Sequence, residues 1–214
     1  MAIIAPAILT DNLEEYKARL EQVATFAQRV HIDISDGEFA PTFTINETDV
    51  WWPTDVLADI HAMVARPSEH VAALVAKRPN MIIFHAEAQE DLTKIFQYVR
   101  QNGIKAGLAL QRPTVPTELA PLIAQVDHVM IFSGELGKYG GTASMMQLEK
   151  VRLIKSIRSD VEIGWDGGVN VDNAFSLKQG GVDVLNVGGA IMTNADPAAM
   201  YAKLTSEINK QGVL

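Results

Sequence analysis

Residues 30–37 read Val30-His31-Ile32-Asp33-Ile34-Ser35-Asp36-Gly37, a short strand-forming run that closes in polar and flexible residues. Similar short apolar runs recur along the whole chain, and stretches with helical periodicity separate most of them. This alternation is typical of a parallel sheet that is built from βα units.

The pattern predicts eight strands, at residues 3–9, 30–34, 59–64, 81–85, 105–110, 128–132, 162–165 and 184–187. It predicts seven helices with bounds, at residues 13–28, 67–77, 89–101, 117–124, 145–158, 171–179 and 196–210. One further helix is expected after the second strand. Eight βα units of about 25 residues fit a single α/β domain over residues 1–214, a (β/α)₈ TIM barrel. A doubly wound sheet is the alternative, but no Gly-x-Gly-x-x-Gly follows the first strand.

Composition excludes several classes of function. The 214 residues are 48% hydrophobic and 21% charged, so the chain is globular, and its net charge of −8 disfavours nucleic acid or an anionic membrane as a partner. The absence of cysteine excludes thiolate nucleophiles and thiolate metal sites. Residues 1–10 lack a basic segment and no apolar run approaches about 18 residues, so neither a signal peptide nor a membrane span is predicted and the cytoplasm is the expected location.

Polar residues at the ends of three strands predict the active site, because TIM barrels carry it at the carboxyl ends of the strands. His31 and Asp33 share one face of the second strand, which points into the barrel if the isoleucines between and after them face the helices. His61 lies on the third strand and Asp166 follows the seventh. Each alone is more often a hydrogen-bonded strand end, but together they offer four ligands to Zn²⁺, Fe²⁺ or Mn²⁺.

Glycine pairs predict a second subsite. Gly167-Gly168 and Gly188-Gly189 follow the seventh and eighth strands, and Gly140-Gly141 close the loop after the sixth. Exposed backbone N–H groups in such segments can hold a phosphate. The alternative for each pair is a tight turn that needs positive φ.

Six segments in the same order resemble motifs of the ribulose-phosphate 3-epimerase family. They are Pro6-Ala7-Ile8-Leu9-Thr10, residues 31–41, His61-Ala62-Met63 with Arg66-Pro67, Phe84-His85-Ala86-Glu87-Ala88, Asp166-Gly167-Gly168-Val169 and Gly188-Gly189-Ala190-Ile191. The resemblance runs over nearly the whole chain. It implies a ribulose-phosphate-binding TIM barrel that acts as an isomerase of carbohydrate metabolism, in the pentose phosphate pathway, and that forms a homo-oligomer.

The resemblance also implies roles for single residues. His31, Asp33, His61 and Asp166 would hold one divalent ion of zinc, iron, manganese or cobalt. Asp33 and Asp166 would be the acid and base that interconvert D-ribulose 5-phosphate and D-xylulose 5-phosphate through a metal-stabilised enediolate. The implied substrate contacts are Ala7, Met63, Gly140, Gly141, Gly167, Gly168, Gly188 and Gly189. His85 is expected outside the first layer of the pocket, where it could orient a ligand.

Several residues depart from the family pattern. Ala7 replaces a serine, Ser35 and Phe132 replace two of three methionines, and Met63 keeps the third. The loop of residues 133–141, here called the lid loop, reads Ser-Gly-Glu-Leu-Gly-Lys-Tyr-Gly-Gly where the family has Ser-Val-Asn-Pro-Gly-Phe-Gly-Gly. Such changes alter the part of the pocket that distinguishes one substrate from another.

Two alternatives therefore stay open: an epimerase of another ketose phosphate, such as allulose 6-phosphate, and a non-catalytic barrel that binds a sugar phosphate. Other phosphate-binding barrels fit less well. The decarboxylase and hexulose-phosphate synthase relatives use Asp-x-Lys-x-x-Asp, whereas Asp33-Ile34-Ser35-Asp36 lacks the lysine. A phosphoribosylanthranilate isomerase uses a cysteine base, and the chain has no cysteine.

Overall fold

A computed structural model describes residues 2–210, so Met1 and residues 211–214 of the predicted domain lie outside the described part. Eight parallel strands form a closed barrel in which each strand pairs with its neighbours in sequence and β8 pairs with β1. The strands are β1 (Ile3–Ile8), β2 (Arg29–Ser35), β3 (Leu57–Met63), β4 (Met81–His85), β5 (Lys105–Leu110), β6 (His128–Phe132), β7 (Glu162–Asp166) and β8 (Val184–Val187). The predicted TIM barrel is confirmed, and each predicted strand is found within two residues of its bounds.

Helices surround the barrel: α1 (Leu13–Ala24), α2 (Pro67–Ala76), α3 (Leu92–Gln101), α4 (Ala120–Ile123), α5 (Glu149–Ile157), α6 (Ala174–Gln179), α7 (Gly189–Met192) and α8 (Pro197–Ile208). Two predicted helices begin as 3₁₀ turns, at Pro116–Leu119 and Met145–Leu148. The short helix α7 was not predicted. Within residues 2–210, no helix combines the length and the apolar character that a membrane crossing requires.

The helix expected after the second strand is wrong. Within the described chain, residues 36–56 form turns and bends with one isolated bridge between Asp36 and Phe43. Asp36 explains the start of this loop, because its Oδ1 accepts hydrogen bonds from the backbone N–H groups of Glu38 and Phe39, each at 2.8 Å. A side chain that bonds its own following backbone competes with helix formation.

Other helix ends differ from the prediction by three or four residues, at α1, α3 and α6. Asp91 accepts a hydrogen bond from the Thr93 N–H at 3.0 Å, so α3 begins at Leu92 instead of residue 89. α1 ends at Ala24 instead of residue 28, and the backbone N–H of Thr25 donates to the Gln22 carbonyl. α6 begins three residues later than predicted.

The barrel has an outer and an inner core. Alternate strand residues such as Ile32, Ile34 and Phe84 pack outward against the helices. Residues at the other alternate positions of the strands face inward, and they form a smaller cluster of Met81, Ile83, Ala109, Met130 and Phe132. This alternation points His31 and Asp33 inward, as the sequence predicted.

Charged residues close the amino-terminal end of the barrel. We call Arg29, Asp59, His128 and Glu162 the floor cluster. Arg29 Nη1 and Nη2 donate to the two carboxylate oxygens of Glu162 at 2.9 and 2.8 Å, and its Nε donates to Asp59 at 2.5 Å. His128 Nδ1 lies 2.8 Å from Glu162. The carboxyl-terminal end is thereby left for a site.

Candidate active site

Four side chains converge at the carboxyl end of the barrel. His31, Asp33, His61 and Asp166, here called the His/Asp cluster, each offer one ligand atom, and these atoms all lie within 4.8 Å of one another. The β2–β3 register sets Asp33 beside His61, and His61 Nδ1 lies 2.8 Å from Asp33 Oδ1. His31 Nε2 lies 3.4 Å from Asp33 Oδ1 and 3.6 Å from Asp166 Oδ2. The structure thus brings together the four residues proposed as ligands, whose roles stay predictions.

His31 indicates that the cluster suits a metal ion. Its imidazole is fully buried, and neither ring nitrogen has a hydrogen-bond partner within the described chain. A buried polar group without a partner is costly, and an ion at Nε2 would satisfy it. Two imidazoles and two carboxylates match zinc, iron, manganese and cobalt alike.

His61 is held from its far side by a chain of hydrogen bonds. Its Nε2 lies 2.8 Å from Nε2 of His85, whose Nδ1 lies 3.2 Å from the Glu87 carboxylate. Glu87 also accepts from the Gln111 N–H at 2.9 Å and from the Thr114 hydroxyl. Burial lowers the pKa of His85 to about 4, so its ring is neutral. If His61 Nδ1 binds an ion, His61 Nε2–H donates to His85 and His85 Nδ1–H donates to Glu87.

The two aspartates have opposite pKa shifts. Burial raises the pKa of Asp33, but the adjacent imidazoles of His31 and His61 outweigh burial and hold it well below its usual range. Burial raises the pKa of Asp166, and the negative charge of Asp33 raises it further. Paired carboxyl groups with separated pKa values are typical of acid and base partners.

A cavity with about 490 Å³ of empty space, part of it open to solvent, lies against the cluster. The walls include both aspartates and most of the predicted substrate-contact residues, namely Ala7, Met63, Gly140, Gly167, Gly168, Gly188 and Gly189. Gly141 lies instead on an adjoining depression that Gly140, Gly168 and Gly189 also line. Phe132 lines the cavity, while Ser35 turns away and donates to the Thr42 carbonyl at 2.7 Å.

The turn after β7 packs directly against the lid loop. Gly167 has a φ of +98°, and a Cβ there would lie 2.0 Å from the Gly134 backbone N. Gly168 has a φ of +73°, and a Cβ there would lie 2.1 Å from the Ala143 N. Glycine is required at both positions, by conformation and by space.

Tyr139 fastens the lid loop to the opposite side of the barrel. Its hydroxyl oxygen accepts from the Leu9 N–H at 2.6 Å and from Arg19 Nη1 at 2.7 Å. Its ring fills the space where a Cβ on Gly188 would stand, 2.6 Å away. A signal for this contact was present, since Tyr139 stands where the family motif has phenylalanine, but its partners are distant in sequence.

Asn186 is a cavity residue that the sequence reasoning missed. It lies in β8 beside Asp166 of β7 and is 2% exposed. The available signal was a polar residue inside the apolar run Val184-Leu185-Asn186-Val187. The prediction for that strand used only Gly188 and Gly189, which follow it.

Sequence comparison places known relatives along nearly the whole chain. The family model described as "Ribulose-phosphate 3 epimerase family" matches residues 3–192. A Helicobacter pylori strain J99 protein named ribulose-phosphate 3-epimerase is 30% identical over 200 residues, which cover 90% of this chain and 92% of that one. The Escherichia coli K12 protein of the same name is 28% identical over 218 residues, covering 97% and 96%.

Solved structures with the same fold have low sequence identity. One structure of KGPDC from Streptococcus mutans has a TM-score of 0.73 at 12% identity, covering 97% of this chain and 98% of that one. The 3-hexulose-6-phosphate synthase from Salmonella typhimurium has a TM-score of 0.69 at 14% identity, covering 96% and 98%. At such identities the likeness shows a shared TIM-barrel fold and nothing about activity.

Proposed function

We propose, since the chain belongs to the ribulose-phosphate 3-epimerase family, that it is a metal-dependent ketose-phosphate 3-epimerase acting on D-ribulose 5-phosphate and D-xylulose 5-phosphate. One observation supports this proposal above all. Asp33 from β2 and Asp166 from β7 line the same cavity, and the imidazoles of His31 and His61 lie beside them. These four residues are the proposed ligands.

The reaction needs two carboxyl groups. The proton on the carbon beside a ketone is removed by a base on one face, and inversion requires an acid that returns a proton on the other face. Asp33 from β2 and Asp166 from β7 are the proposed pair, and each takes the proton in one direction of the reaction and gives it in the other.

The remaining groups hold the substrate and stabilise charge. A divalent ion in the His/Asp cluster supplies Lewis-acid stabilisation of the negative charge that develops on the substrate oxygens. We propose that the phosphate lies at the other end of the cavity, against the backbone N–H groups of the glycine segments after β6, β7 and β8. The net charge of −8 does not oppose this, because backbone groups act locally.

The test is epimerisation by protein loaded with Zn²⁺, Mn²⁺ or Co²⁺. D-ribulose 5-phosphate is supplied in D₂O, and D-xylulose 5-phosphate and its deuterium content at C3 are measured. We expect turnover with deuterium at C3, and a fall in kcat of about 10²–10⁴-fold in Asp33→Asn and in Asp166→Asn. Asp160→Asn, at an aspartate 75% exposed beside Arg158, is the matched control and keeps the wild-type rate. Turnover no faster than that of Asp166→Asn contradicts the proposal.

Ala7, Phe132 and Tyr139 favour a second candidate, the same chemistry on another ketose phosphate such as allulose 6-phosphate. All three line the cavity and set its shape. A panel of ketose phosphates separates the candidates by kcat/KM. Binding across the panel without turnover would indicate the non-catalytic alternative.

We also propose that residues 1–214 form one domain, that the protein acts in the cytoplasm and that it forms a homo-oligomer. The barrel supports the first point, because its closure joins β1 at residue 3 to β8 at residue 184. Light scattering on the purified protein tests the oligomer.

A further inference from the structure

Asn186 is an amide inside the barrel whose hydrogen bonds are incomplete. Its neighbours in β8, Leu185 and Val187, face the outer core, so Asn186 points inward. There its Nδ2 lies 3.2 Å from the sulfur of Met130, while its Oδ1 has no hydrogen-bond partner among residues 2–210. The side chain is 2% exposed and lines the cavity.

The sulfur of Met130 fixes which way the amide turns. A thioether is a weak acceptor and never a donor, so the NH₂ group faces it and the carbonyl oxygen is the atom left over. A buried acceptor without a donor carries a free-energy cost. An apolar side chain would avoid that cost, so the amide is explained by a donor that comes with a ligand.

The position of Asn186 identifies the part of a ligand that it can reach. The strand registers set it beside Asp166 on β7 and Ala5 on β1. Ala5 brings no polar side-chain atom, whereas Asp166 belongs to the proposed acid and base pair. Asn186 therefore lies beside a group that exchanges a proton with the substrate in the proposed reaction.

We infer that Asn186 is a specificity-determining residue whose amide oxygen accepts a hydrogen bond from a substrate hydroxyl next to the reacting carbon. The inference rests on the proposed function and deepens it. The oxygens of a phosphate or a ketone are hydrogen-bond acceptors, which the amide oxygen repels. Each hydroxyl on the carbon chain of a ketose phosphate can instead donate a hydrogen bond. The chain would thus distinguish ketose phosphates by the hydroxyl at one carbon.

The first experiment removes either partner of this hydrogen bond. D-ribulose 5-phosphate and its 1-deoxy and 4-deoxy analogues, which keep the stereocentre at C3, are given to wild type, Asn186→Leu and Asn186→Ala. In the wild type we expect the 4-deoxy analogue, which lacks the hydroxyl next to the reacting carbon, to lose about tenfold in kcat/KM beyond the 1-deoxy analogue. In both variants, kcat/KM for D-ribulose 5-phosphate should fall about tenfold, and kcat/KM for that analogue should fall no further. Asn186→Ala adds no bulk, so it separates the lost hydrogen bond from a steric effect.

The second measurement uses protein without ligand and excludes a merely structural role. Because Oδ1 lacks a donor within the described chain, Asn186→Leu should keep or raise the Tm. The matched control is Asn80→Leu at the opposite end of the barrel, where the amide Nδ2 donates to Asp59 Oδ1 at 2.5 Å. Asn80→Leu should lower the Tm and leave kcat/KM unchanged.

Several results would overturn the inference. One is wild-type kcat/KM in both Asn186 variants. A second is the same loss of kcat/KM with every deoxy analogue in the variants and in the wild type. A third is a Tm of Asn186→Leu that falls as far as that of Asn80→Leu. If the wild type turns over no ketose phosphate, the proposed function fails separately. Calorimetry with D-ribulose 5-phosphate then decides: about tenfold weaker binding to Asn186→Ala supports the inference, and equal or absent binding to both proteins overturns it.

Discussion

His85 is the residue on which the orientation of His61 depends. It does not line the cavity, but its Nε2 lies 2.8 Å from Nε2 of His61 and its Nδ1 faces Glu87. The sequence predicted all four members of the His/Asp cluster, because each is a polar residue within or directly after a predicted strand. It could not predict the Glu87 contact or the free oxygen of Asn186. Those depend on which side chains the strand register and the barrel curvature set together.

Replacing His85 by phenylalanine should weaken metal binding. The change keeps a ring of similar size but leaves His61 Nε2–H without an acceptor, so we expect Zn²⁺ affinity to fall about 10–100-fold, measured by competition with a chromogenic chelator. His85→Asn, which restores an acceptor, should recover part of the affinity. His70→Phe is the matched control, since His70 pairs with Glu47 outside the cluster. Equal Zn²⁺ affinity in wild type and His85→Phe would refute this role.

At the scale of elements, the lid loop is joined to β1 and α1 through Tyr139. The loop's departure from the family pattern was visible in the sequence, whereas the start of α3, which Asp91 caps, was predicted three residues too early. Strands were predicted more accurately than helices, because burial on both faces makes most strands rich in apolar residues over their whole length. The loop contacts join residues about 130 positions apart, which no local pattern encodes.

Tyr139→Phe should loosen the lid loop. Loss of the hydroxyl leaves the Leu9 N–H without its acceptor and takes from Arg19 Nη1 one of its two acceptors, the other being the Leu9 carbonyl. We expect a cost of about 1–2 kcal/mol, which raises the open population about 5–30-fold. Trypsin should then cut after the exposed Lys138 faster by a similar factor, and KM should rise more than kcat falls. Tyr98→Phe, at an exposed tyrosine of α3, is the control. Unchanged cleavage would mean that other contacts hold the loop.

At the scale of the whole molecule, the barrel separates stability from chemistry. The floor cluster closes the amino-terminal end with charges that pair with one another, whereas the His/Asp cluster at the carboxyl-terminal end keeps an imidazole that has no hydrogen bond within residues 2–210. Composition and strand count predicted this architecture, but not the ion pairs, whose members begin different strands.

Glu162→Gln should destabilise the barrel in a pH-dependent way. Burial raises the pKa of Glu162, but Arg29 and His128 outweigh burial and hold it well below the ordinary value of 4.5. A carboxyl group with a lowered pKa contributes stability above about pH 4.5 that is lost as the pH falls toward the folded value. Urea unfolding should show a loss of about 3 kcal/mol at pH 7 and a smaller loss at about pH 3.5. Glu149→Gln, at an exposed pair with Arg152, should change little at either pH. An equal loss at both pH values would show that Glu162 acts by packing alone.

The contact between Gly167 and Gly134 has a consequence for protein engineering. Two loops that touch backbone to backbone leave no side chain between them to adjust, so neither behaves as an interchangeable module. A chimera that receives a foreign lid loop should fold correctly only when the turn after β7 is taken from the same donor. A library that varies residues 133–141 while fixing 166–168 would therefore sample mostly combinations in which the two loops do not fit together.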